Sequence, residues 1–324
     1  GFPLIVKNTD STFECFNLED LDGNPITGKK ELEISIQLAI EMGELCTKFL
    51  KPPHDFEYEK TFLPFLLLSK KRYVGMLYEH NINKCKRKEM GIVLKRRDNA
   101  PCVKDIYGGI IDILMKSGNI NEAVNFTRNF LKDMVGEKFP LEKLIITKSL
   151  SGFYKNPKQI AHKVLADRMG KRDPGNKPSA GSRIPFVYMQ TKGKVSLQGD
   201  RIEHPDYIRK HNIKPDYGFY ITNQIMKPVT QIYSLLLENI PEFNRKKELK
   251  KNTKILNNEL KKLKKSNINL TIEEINDLDS KYEDKIEKMR NNYVKSLIFD
   301  KSLVVANHLK HNQKSVLKFF IKKK

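Results

Sequence analysis

The sequence predicts an α+β protein, with strands and helices in its first part and a mainly α-helical remainder that includes a charged helical hairpin. Three patterns carry this prediction. Apolar, aromatic-rich runs of strand length lie before residue 97, helical periodicity dominates residues 98–238, and a Lys-rich amphipathic segment covers residues 245–293. This order of elements predicts that strands pack with helices in the first part of the chain and that helices pack on helices in the second.

The first part of the chain alternates strand and helix signals. Residues 12–16 have the period-2 pattern of a half-buried strand, and residues 30–49 form a long amphipathic stretch typical of a helix. Two apolar runs, at 62–68 and 72–78, flank a polar Ser-Lys-Lys centre. This arrangement predicts two strands that meet at a turn.

The second part is predicted to be helical, with a loop at residues 171–178, where two prolines and a glycine gather. Residues 245–265 carry ten basic and two acidic side chains, with leucines at helical spacing. Thr271 and Glu274 have the spacing of a capping box that starts a second amphipathic helix. We expect two helices joined at Ser266-Asn267. Two interpretations stay open: a solvated charged hairpin, or a basic arm that contacts nucleic acid.

Composition indicates a polyanionic partner. The 324 residues include 60 Lys and Arg against 39 Asp and Glu, a formal charge of +21 with a pI near 9.6. However, 48 of the cations are Lys, and an AT-rich genome would enrich Lys without selection for binding. Charge alone therefore does not decide the function, while 17 Phe and 12 Tyr exclude wholesale disorder.

Cysteine usage and the absence of targeting signals predict an intracellular protein. Four scattered cysteines form no C-x-x-C pair, so we expect reduced, half-buried thiols at Cys15, Cys46, Cys85 and Cys102. No apolar run approaches the roughly 20 residues that span a bilayer, and no membrane partner is expected. The chain opens Gly1-Phe2-Pro3 without Met or a secretory signal, so we expect a fragment or a processed piece.

Four motifs give the sequence its specific signal. They are Thr9-Asp10-Ser11, K-K-R-Y at 70–73, K-R-R-D-N-A-P at 95–101 and R-M-G-K-R-D-P-G at 168–175. Further matches follow at 146–150, 181–185, 216–220 and 227–228. In this order they resemble the C-terminal half of family B DNA polymerases of the delta-like type, found in eukaryotes and large DNA viruses. The resemblance covers roughly residues 9–235.

The resemblance implies a domain organisation. It assigns residues 9–97 to the remainder of a palm subdomain and residues 98–240 to a thumb. The Lys-rich hairpin then occupies 241–300, and a tail occupies 301–324. The implied activity is template-directed addition of dNTPs to a primer, at a host nuclear or cytoplasmic viral replication site.

The resemblance also implies a metal site. Asp10 matches a catalytic aspartate that binds Mg²⁺ in the family, with two metal ions neutralising charge on the attacking and leaving oxygens. The other carboxylates of that site would come from outside this chain, as would the fingers and exonuclease. Primer–template DNA, dNTP and an upstream polymerase half are the expected partners, and the chain alone is expected not to polymerise.

The residues before Asp10 depart from the family pattern. Where the family has Tyr-Gly-Asp, this chain has Val6-Lys7-Asn8. Residues 1–8 resemble the end of an intein, which implies a splice junction between Asn8 and Thr9, although Lys7 stands where such segments usually have His. The alternative is a diverged or damaged metal site, in which an aspartate has become Asn8.

Basic motifs supply the expected contacts to primer–template DNA. By resemblance, the first motif lies against the duplex near the growing end and the others extend into the thumb. The implied contact residues are Lys70, Lys71, Arg72, Tyr73, Arg96, Arg97, Lys148, Arg168, Lys171 and Arg172. Structural ion pairs, Arg97 with Asp98 and Arg172 with Asp173, are the alternative for two of these arginines.

The C-terminal tail carries a separate signal. Gln313-x-x-Val316-x-x-Phe319-Phe320 resembles the peptide by which replication proteins bind a sliding clamp, with an apolar plug on a short helical turn. A frayed amphipathic end is the alternative. Besides the polymerase, two functions stay open for the whole chain: a non-catalytic duplex-DNA-binding module, and an accessory tethering protein that works through the hairpin and the clamp peptide.

Overall fold

A computed structural model describes residues 4–8, 11–69, 71–95, 98–191, 197–266 and 271–310. The chain divides into two compact units, Gly1–Lys95 and Arg96–Lys324. The first is a small α+β unit and the second is mainly helical, which confirms the predicted fold class.

The described residues of unit 1 form two small antiparallel sheets and one long helix. Its elements are β1 (Leu4–Asn8), β2 (Ser11–Cys15), α1 (Lys29–Phe49), β3 (Thr61–Ser69), β4 (Arg72–Tyr78) and β5 (Cys85–Met90). β1 pairs with β2, and β4 lies between β3 and β5. The predicted strands at 12–16, 62–68 and 72–78 and the predicted helix at 30–49 are therefore confirmed.

Helix α1 packs through one face and ends at Phe49, where the residues that follow cannot continue a helix. Leu32 and Ile36 are buried along that face. Near its end, the Thr47 hydroxyl donates to the carbonyl of Phe56 at 3.1 Å and accepts from the Phe56 N–H at 2.9 Å. Leu50 is already extended, and the prolines that follow cannot supply the helical N–H donors.

An aromatic cluster forms the core between β2 and the three-stranded sheet. The rings of Phe13, Phe65 and Tyr73 lie with centroids 5.3–5.6 Å apart, and Phe62 joins them. Gly75 lies beneath this cluster. A Cβ there would stand 2.9 Å from Phe62 and from a backbone carbonyl, so the close approach of the rings to the strand requires glycine.

The described part of unit 2 consists of helices packed on helices and one short sheet that packs against two of the helices, Ala161–Arg172 and Pro205–Lys210. Its elements are α2 (Pro101–Lys116), α3 (Ile120–Val135), β6 (Ile146–Ser149), α4 (Ala161–Arg172), β7 (Arg183–Tyr188), β8 (Ile202–Glu203), α5 (Pro205–Lys210), α6 (Tyr217–Phe219), α7 (Met226–Leu236), α8 (Lys246–Ser266), α9 (Ile272–Val294) and α10 (Asp300–Lys310). π-Helical segments at Tyr220–Ile225 and Lys295–Phe299 join α6 to α7 and α9 to α10.

The sheet of unit 2 was not expected from the sequence. β7 pairs with both β6 and β8 in antiparallel register. These strands are two to six residues long, too short for a period-2 pattern to stand out from the surrounding helical signals. The sheet positions Lys148 on β6 and Glu203 on β8, both of which matter for the candidate site.

Buried tyrosines tie the helices of unit 2 together. The hydroxyls of Thr127 and Tyr233 lie 2.7 Å apart and join α3 to α7. The Tyr220 hydroxyl donates to the Leu144 carbonyl at 2.7 Å and accepts from the Tyr188 N–H at 3.0 Å. These bonds satisfy polar atoms that would otherwise be costly to bury.

The four cysteines are free thiols in contrasting surroundings. Cys102 is fully buried in α2, and burial raises the pKa of its thiol to about 12. Cys46 is half-buried, while Cys15 and Cys85 are exposed. The expectation of free thiols is confirmed, but only Cys46 and Cys102 are as shielded as predicted.

The charged hairpin forms from α8 and α9, as predicted. Thr271 caps α9: its hydroxyl accepts from the Glu274 N–H at 3.3 Å, and its own N–H donates to the Glu274 carboxylate at 2.9 Å. Helix α9 is anchored on α7, where the Arg290 guanidinium donates to the Ser234 carbonyl at 2.7 Å. Helix α8 then packs along α9, and Asn267 of the predicted turn lies outside the described residues.

Candidate nucleic-acid interface

The basic motif at 70–73 follows β3 at the point where the chain turns into β4. Lys71 is exposed and adopts a left-handed conformation, with φ +62°, and Arg72 opens the next strand. Gly91 supports this turn from below. A Cβ at Gly91 would stand 2.4 Å from the Lys71 carbonyl oxygen, and its own φ is +58°. The backbone of Gly91 therefore packs directly against Lys71, and Lys70 lies outside the described residues.

Tyr73 has a different environment from the cations beside it. Its ring is only 6% exposed and belongs to the aromatic cluster with Phe13, Phe62 and Phe65. In the sheet it lies opposite Leu67 and Met90. Its packing anchors the strand that follows the turn, and its predicted contact with primer–template stays a prediction.

The predicted catalytic segment lies between the first two strands. Asn8 ends β1 and is paired with Ser11 at the start of β2, in a register that continues to Leu4 opposite Cys15. Thr9 and Asp10 lie outside the described residues. In the part of the chain that is described, no group of three or more His, Cys, Asp or Glu side chains is placed to hold a metal ion.

A cleft of about 630 Å³ in unit 1 adjoins β2. It lies between β2, α1 and β3, and its wall includes Phe13, Phe62, Leu32 and Met42. The cleft is therefore lined by apolar side chains from all three elements, together with charged ones such as Glu14 and Glu31.

Arg168 and Arg172 converge on one buried carboxylate. Glu203 on β8 is 2% exposed and accepts from Arg168 at 3.0 Å and from both terminal nitrogens of Arg172 at 3.2 and 3.0 Å. Arg168 also donates to the Ile202 carbonyl at 3.2 Å, and the Arg172 guanidinium lies 3.8 Å from the Tyr207 ring centroid. Helix α4 is thereby fixed to β8.

The two arginines determine the charge state of this carboxylate. Burial alone would raise the pKa of Glu203. Hydrogen bonds from Arg172 and from the His204 N–H, with the charges of both arginines, outweigh burial and hold that pKa below its usual range. The same hydrogen bond raises the pKa of Arg172. Glu203 and Arg172 are therefore both ionised at neutral pH.

The structure corrects two details of the sequence interpretation. The ion-pair partner of Arg172 is Glu203 and not the adjacent Asp173, whose carboxylate instead accepts from the Asn176 amide at 2.7 Å. Helix α4 also continues through Lys171 and Arg172, so the predicted loop begins at Asp173. A hydrogen-bond acceptor 31 residues away in sequence has no local signal, which is why Glu203 was not identified.

Lys148 and Lys171 keep the exposure that a phosphate contact needs. Lys171 lies in the last turn of α4, and Lys148 lies on β6 opposite Ile184. The Lys148 charge, after burial, contributes to lowering the pKa of His162. Arg183, the first residue of β7, donates to the Thr147 hydroxyl at 2.8 Å. This arginine was not predicted from the sequence as a site residue.

Several predicted site residues fall where the structure gives no description. Arg96 and Arg97, and with them the predicted Arg97–Asp98 ion pair, lie outside the described residues. So do Gln313, Val316, Phe319 and Phe320 of the clamp-like peptide. Of the helices that are described, none is both long and apolar enough to cross a bilayer.

Comparison with protein families gives a match over most of the chain. The model for "DNA polymerase family B" matches residues 9–236. That range runs from the Thr9-Asp10-Ser11 motif to the end of α7, and it stops before the charged hairpin.

Individual relatives agree with this match. The DNA polymerase of Pyramimonas orientalis virus is 44% identical over 322 residues, covering 99% of this chain and 25% of the relative. The DNA polymerase of Acanthamoeba polyphaga mimivirus is 46% identical over 240 residues, covering 72% of this chain and 14% of its own. The DNA polymerase delta catalytic subunit of Caenorhabditis elegans is 33% identical, over 72% of this chain and 21% of its own.

This chain therefore spans a quarter or less of the length of these relatives. Among solved structures, a family B DNA polymerase from Pyrobaculum calidifontis is similar over 58% of this chain and 24% of its own, with 24% identity and a TM-score of 0.45.

Proposed function

Because this chain belongs to the family B DNA polymerases, we propose that it is the palm remainder, residues 9–97, and the thumb, residues 98–240, of a replicative DNA-directed DNA polymerase. The observation that carries the proposal is the family match across residues 9–236, within which Lys71 is exposed on a turn that packs against Gly91. The reaction is transfer of a deoxynucleotide from a dNTP to a primer 3′-hydroxyl.

In this proposal the turn at Lys71 holds the primer–template duplex near its growing end. The cations of residues 70–72 contact phosphates and the minor-groove acceptors that every correct base pair presents, so pair geometry is sensed without sequence readout. The support from Gly91 and Tyr73 fixes the turn before DNA arrives, which lowers the ordering cost of binding.

The thumb contacts are divided between exposed and paired cations. Lys148 and Lys171 bind duplex phosphates directly, since both are exposed. Arg168 and Arg172, anchored on Glu203, hold the end of α4 so that Lys171 faces the duplex from a fixed position. Arg96 and Arg97 connect palm to thumb and add contacts to the same backbone.

Asp10 is the proposed catalytic carboxylate and Mg²⁺ ligand. Bound Mg²⁺ would supply charge neutralisation at the transferred phosphoryl group. The remaining carboxylates come from an upstream polymerase half, joined to this chain by splicing between Asn8 and Thr9. The clamp-like peptide at 313–320 attaches the enzyme to a sliding clamp during replication in the infected cell.

Primer extension tests the enzymatic proposal. The chain from Thr9, joined to the upstream part of its polymerase, is expected to extend a primed template with Mg²⁺ and dNTPs. The Asp10→Ala variant is expected to lose this activity, while Asp22→Ala, at an exposed position in the same unit, retains it. Activity that survives Asp10→Ala would contradict the catalytic assignment.

One observation favours a second candidate, a non-catalytic duplex-binding module. β1 pairs with β2 without interruption up to Asn8, so residues 4–8 form the antiparallel partner strand of β2 within this chain. In a non-catalytic module, Asn8 stands where a metal-binding aspartate has been lost, and it is not a splice residue. The gene sequence immediately upstream separates the two: intein sequence preceded by a Tyr-Gly-Asp segment supports the enzyme, and a continuous reading frame without them supports the module.

A further inference from the structure

The two arms of the charged hairpin have opposite charge. Helix α8 contains nine lysines and two glutamates, whereas α9 contains seven acidic and four basic residues. Codon bias toward lysine acts on both arms alike, and so it does not explain why the basic residues concentrate in one of them. The family match also ends at residue 236, so the hairpin lies outside the residues that the family model matches.

The lysines of α8 form a stripe along one side of the helix. Seven of them, all exposed, fall in two groups with internal spacings of three and four residues, and the groups lie seven residues apart: Lys247, Lys250, Lys251 and Lys254, then Lys261, Lys262 and Lys265. Such spacing places side chains on one side of a helix. From the first to the last, the stripe is about 27 Å long at 1.5 Å per residue.

The opposite side of α8 faces α9. Leu249 is 1% exposed, Glu248 accepts from the Tyr293 hydroxyl at 2.9 Å, and Lys264 pairs with Asp279 at 2.5 Å. Among the residues that the structure describes, Lys264 is the α8 lysine with an ion pair to α9. The stripe is therefore turned away from the acidic arm that would otherwise neutralise it.

The segment that leads into α8 is bound to the neighbouring helices of unit 2. Arg128 on α3 makes two hydrogen bonds to Glu242 at 2.7 and 2.6 Å, just before α8 begins. Phe243 is 4% exposed and packs on Tyr293, with ring centroids 5.5 Å apart. Because α9 in turn is anchored on α7, the basic face of α8 forms an outer surface of unit 2.

We propose that the lysine stripe of α8 binds the phosphate backbone of duplex DNA. A straight row of cations about 27 Å long suits a stiff, regularly charged duplex, which carries one charge per roughly 1.7 Å of its axis. Single-stranded binding surfaces use aromatic side chains for base stacking, and α8 contains none. A membrane-binding helix would present apolar residues toward lipid, whereas the lysine stripe contains none; Leu249, Leu256 and Leu260 lie on the side that faces α9, and the exposed Ile255 and Leu263 lie outside the stripe.

A pair of matched double variants tests this contact in the full chain. Lys254→Gln with Lys261→Gln removes two charges from the stripe, and Lys281→Gln with Lys288→Gln removes two exposed charges from α9. Both keep helix propensity nearly constant. Binding of a 30-base-pair duplex, measured against salt concentration, is expected to lose about 1.8 in log–log slope and about 30-fold in affinity at 0.15 M salt for the α8 variant alone.

Each further outcome decides the question. Recovery of binding by Lys254→Arg with Lys261→Arg supports a charge contact. Equal losses in both double variants would overturn the proposal, because they would indicate a general charge effect. The proposal would also be overturned if the α8 variant bound duplex DNA normally but lost affinity for phosphatidylserine vesicles or polyglutamate.

The inference rests on the proposed function only in taking duplex DNA as the partner at hand. Its test measures binding, whereas the polymerase assignment is tested by primer extension and Asp10→Ala. Loss of duplex affinity in the α8 variant, together with an absence of primer extension, would leave this contact standing and remove the polymerase proposal.

Discussion

Unit 2 uses its cations in two contrasting ways. Arg168 and Arg172 are committed to a buried carboxylate, Glu203, and join α4 to β8. The lysines along α8 are exposed and turned away from the acidic arm of their own hairpin. The same formal charge therefore stabilises the fold in one region and is available to a partner in the other.

The net charge of +21 therefore combines cations with two different roles. A cation paired with a buried carboxylate should affect the free energy of unfolding and hardly affect the salt dependence of binding. An exposed cation should do the reverse. The turn at Lys71 combines the two cases, with an exposed cation on a tightly packed base.

Removing Glu203 should have the largest effect. Glu203→Ala leaves two arginines without their shared buried partner, and the free energy of unfolding is expected to fall by about 3 kcal/mol. Urea denaturation measures it. Asp206→Ala is the matched control, because this carboxylate also pairs with an arginine but is 75% exposed, where a pair contributes less than about 1 kcal/mol. Equal losses would contradict the comparison.

Gly91→Ala should destabilise the turn at Lys71. The substitution places a methyl group 2.4 Å from the Lys71 carbonyl and forces a left-handed backbone, so we expect a loss of about 2 kcal/mol and weaker duplex binding. Gly23→Ala carries a similar φ of +79° with nothing within 4 Å and controls for backbone strain alone. If both variants bind duplex equally well, the support of the turn has no functional role.

Thr271→Ala tests whether the hairpin arms depend on the cap of α9. Losing the capping-box hydroxyl is expected to lower stability by about 1 kcal/mol and to speed amide hydrogen exchange in the first turn of α9. Ser280→Ala, exposed within the same helix, should do neither. Unchanged exchange in Thr271→Ala would show that packing against α8, and not the cap, holds this end.

Acid should produce the smallest change, again through Glu203. Because its pKa is lowered in the folded state, its contribution is complete above the unfolded value of about 4.3 and is lost as pH falls through the folded value. The free energy of unfolding, measured between pH 3 and 7, should fall more steeply below that point in the wild type than in Glu203→Gln. Parallel curves would contradict this role.

Much of the fold could be predicted from the sequence where periodicity is strong. Helix α1, strands β3 and β4, and the capping box at Thr271 all have local patterns that the structure confirms. The sheet formed by β6, β7 and β8 could not be predicted, because its strands are short and their pairing joins residues up to 40 apart.

The candidate site was predictable only in part for a similar reason. The basic motifs are visible as sequence, but their environment depends on distant partners such as Gly91 beneath Lys71 and Glu203 beside Arg172. Tyr73 illustrates the limit: its place in a motif suggests the surface, whereas three phenylalanines from β2 and β3 bury it. A short motif specifies residue types, and tertiary packing decides their exposure.

The salt dependence of duplex binding is the central test of the proposed contact with DNA. For the full chain, log affinity should fall steeply and linearly with log salt, and Lys71→Gln should reduce the slope by about 0.9 without changing the free energy of unfolding. Lys51→Gln, an exposed lysine of the same unit, should leave the slope unchanged. A flat salt dependence in the wild type, or identical slopes for Lys71→Gln and wild type, would contradict the proposed duplex contact.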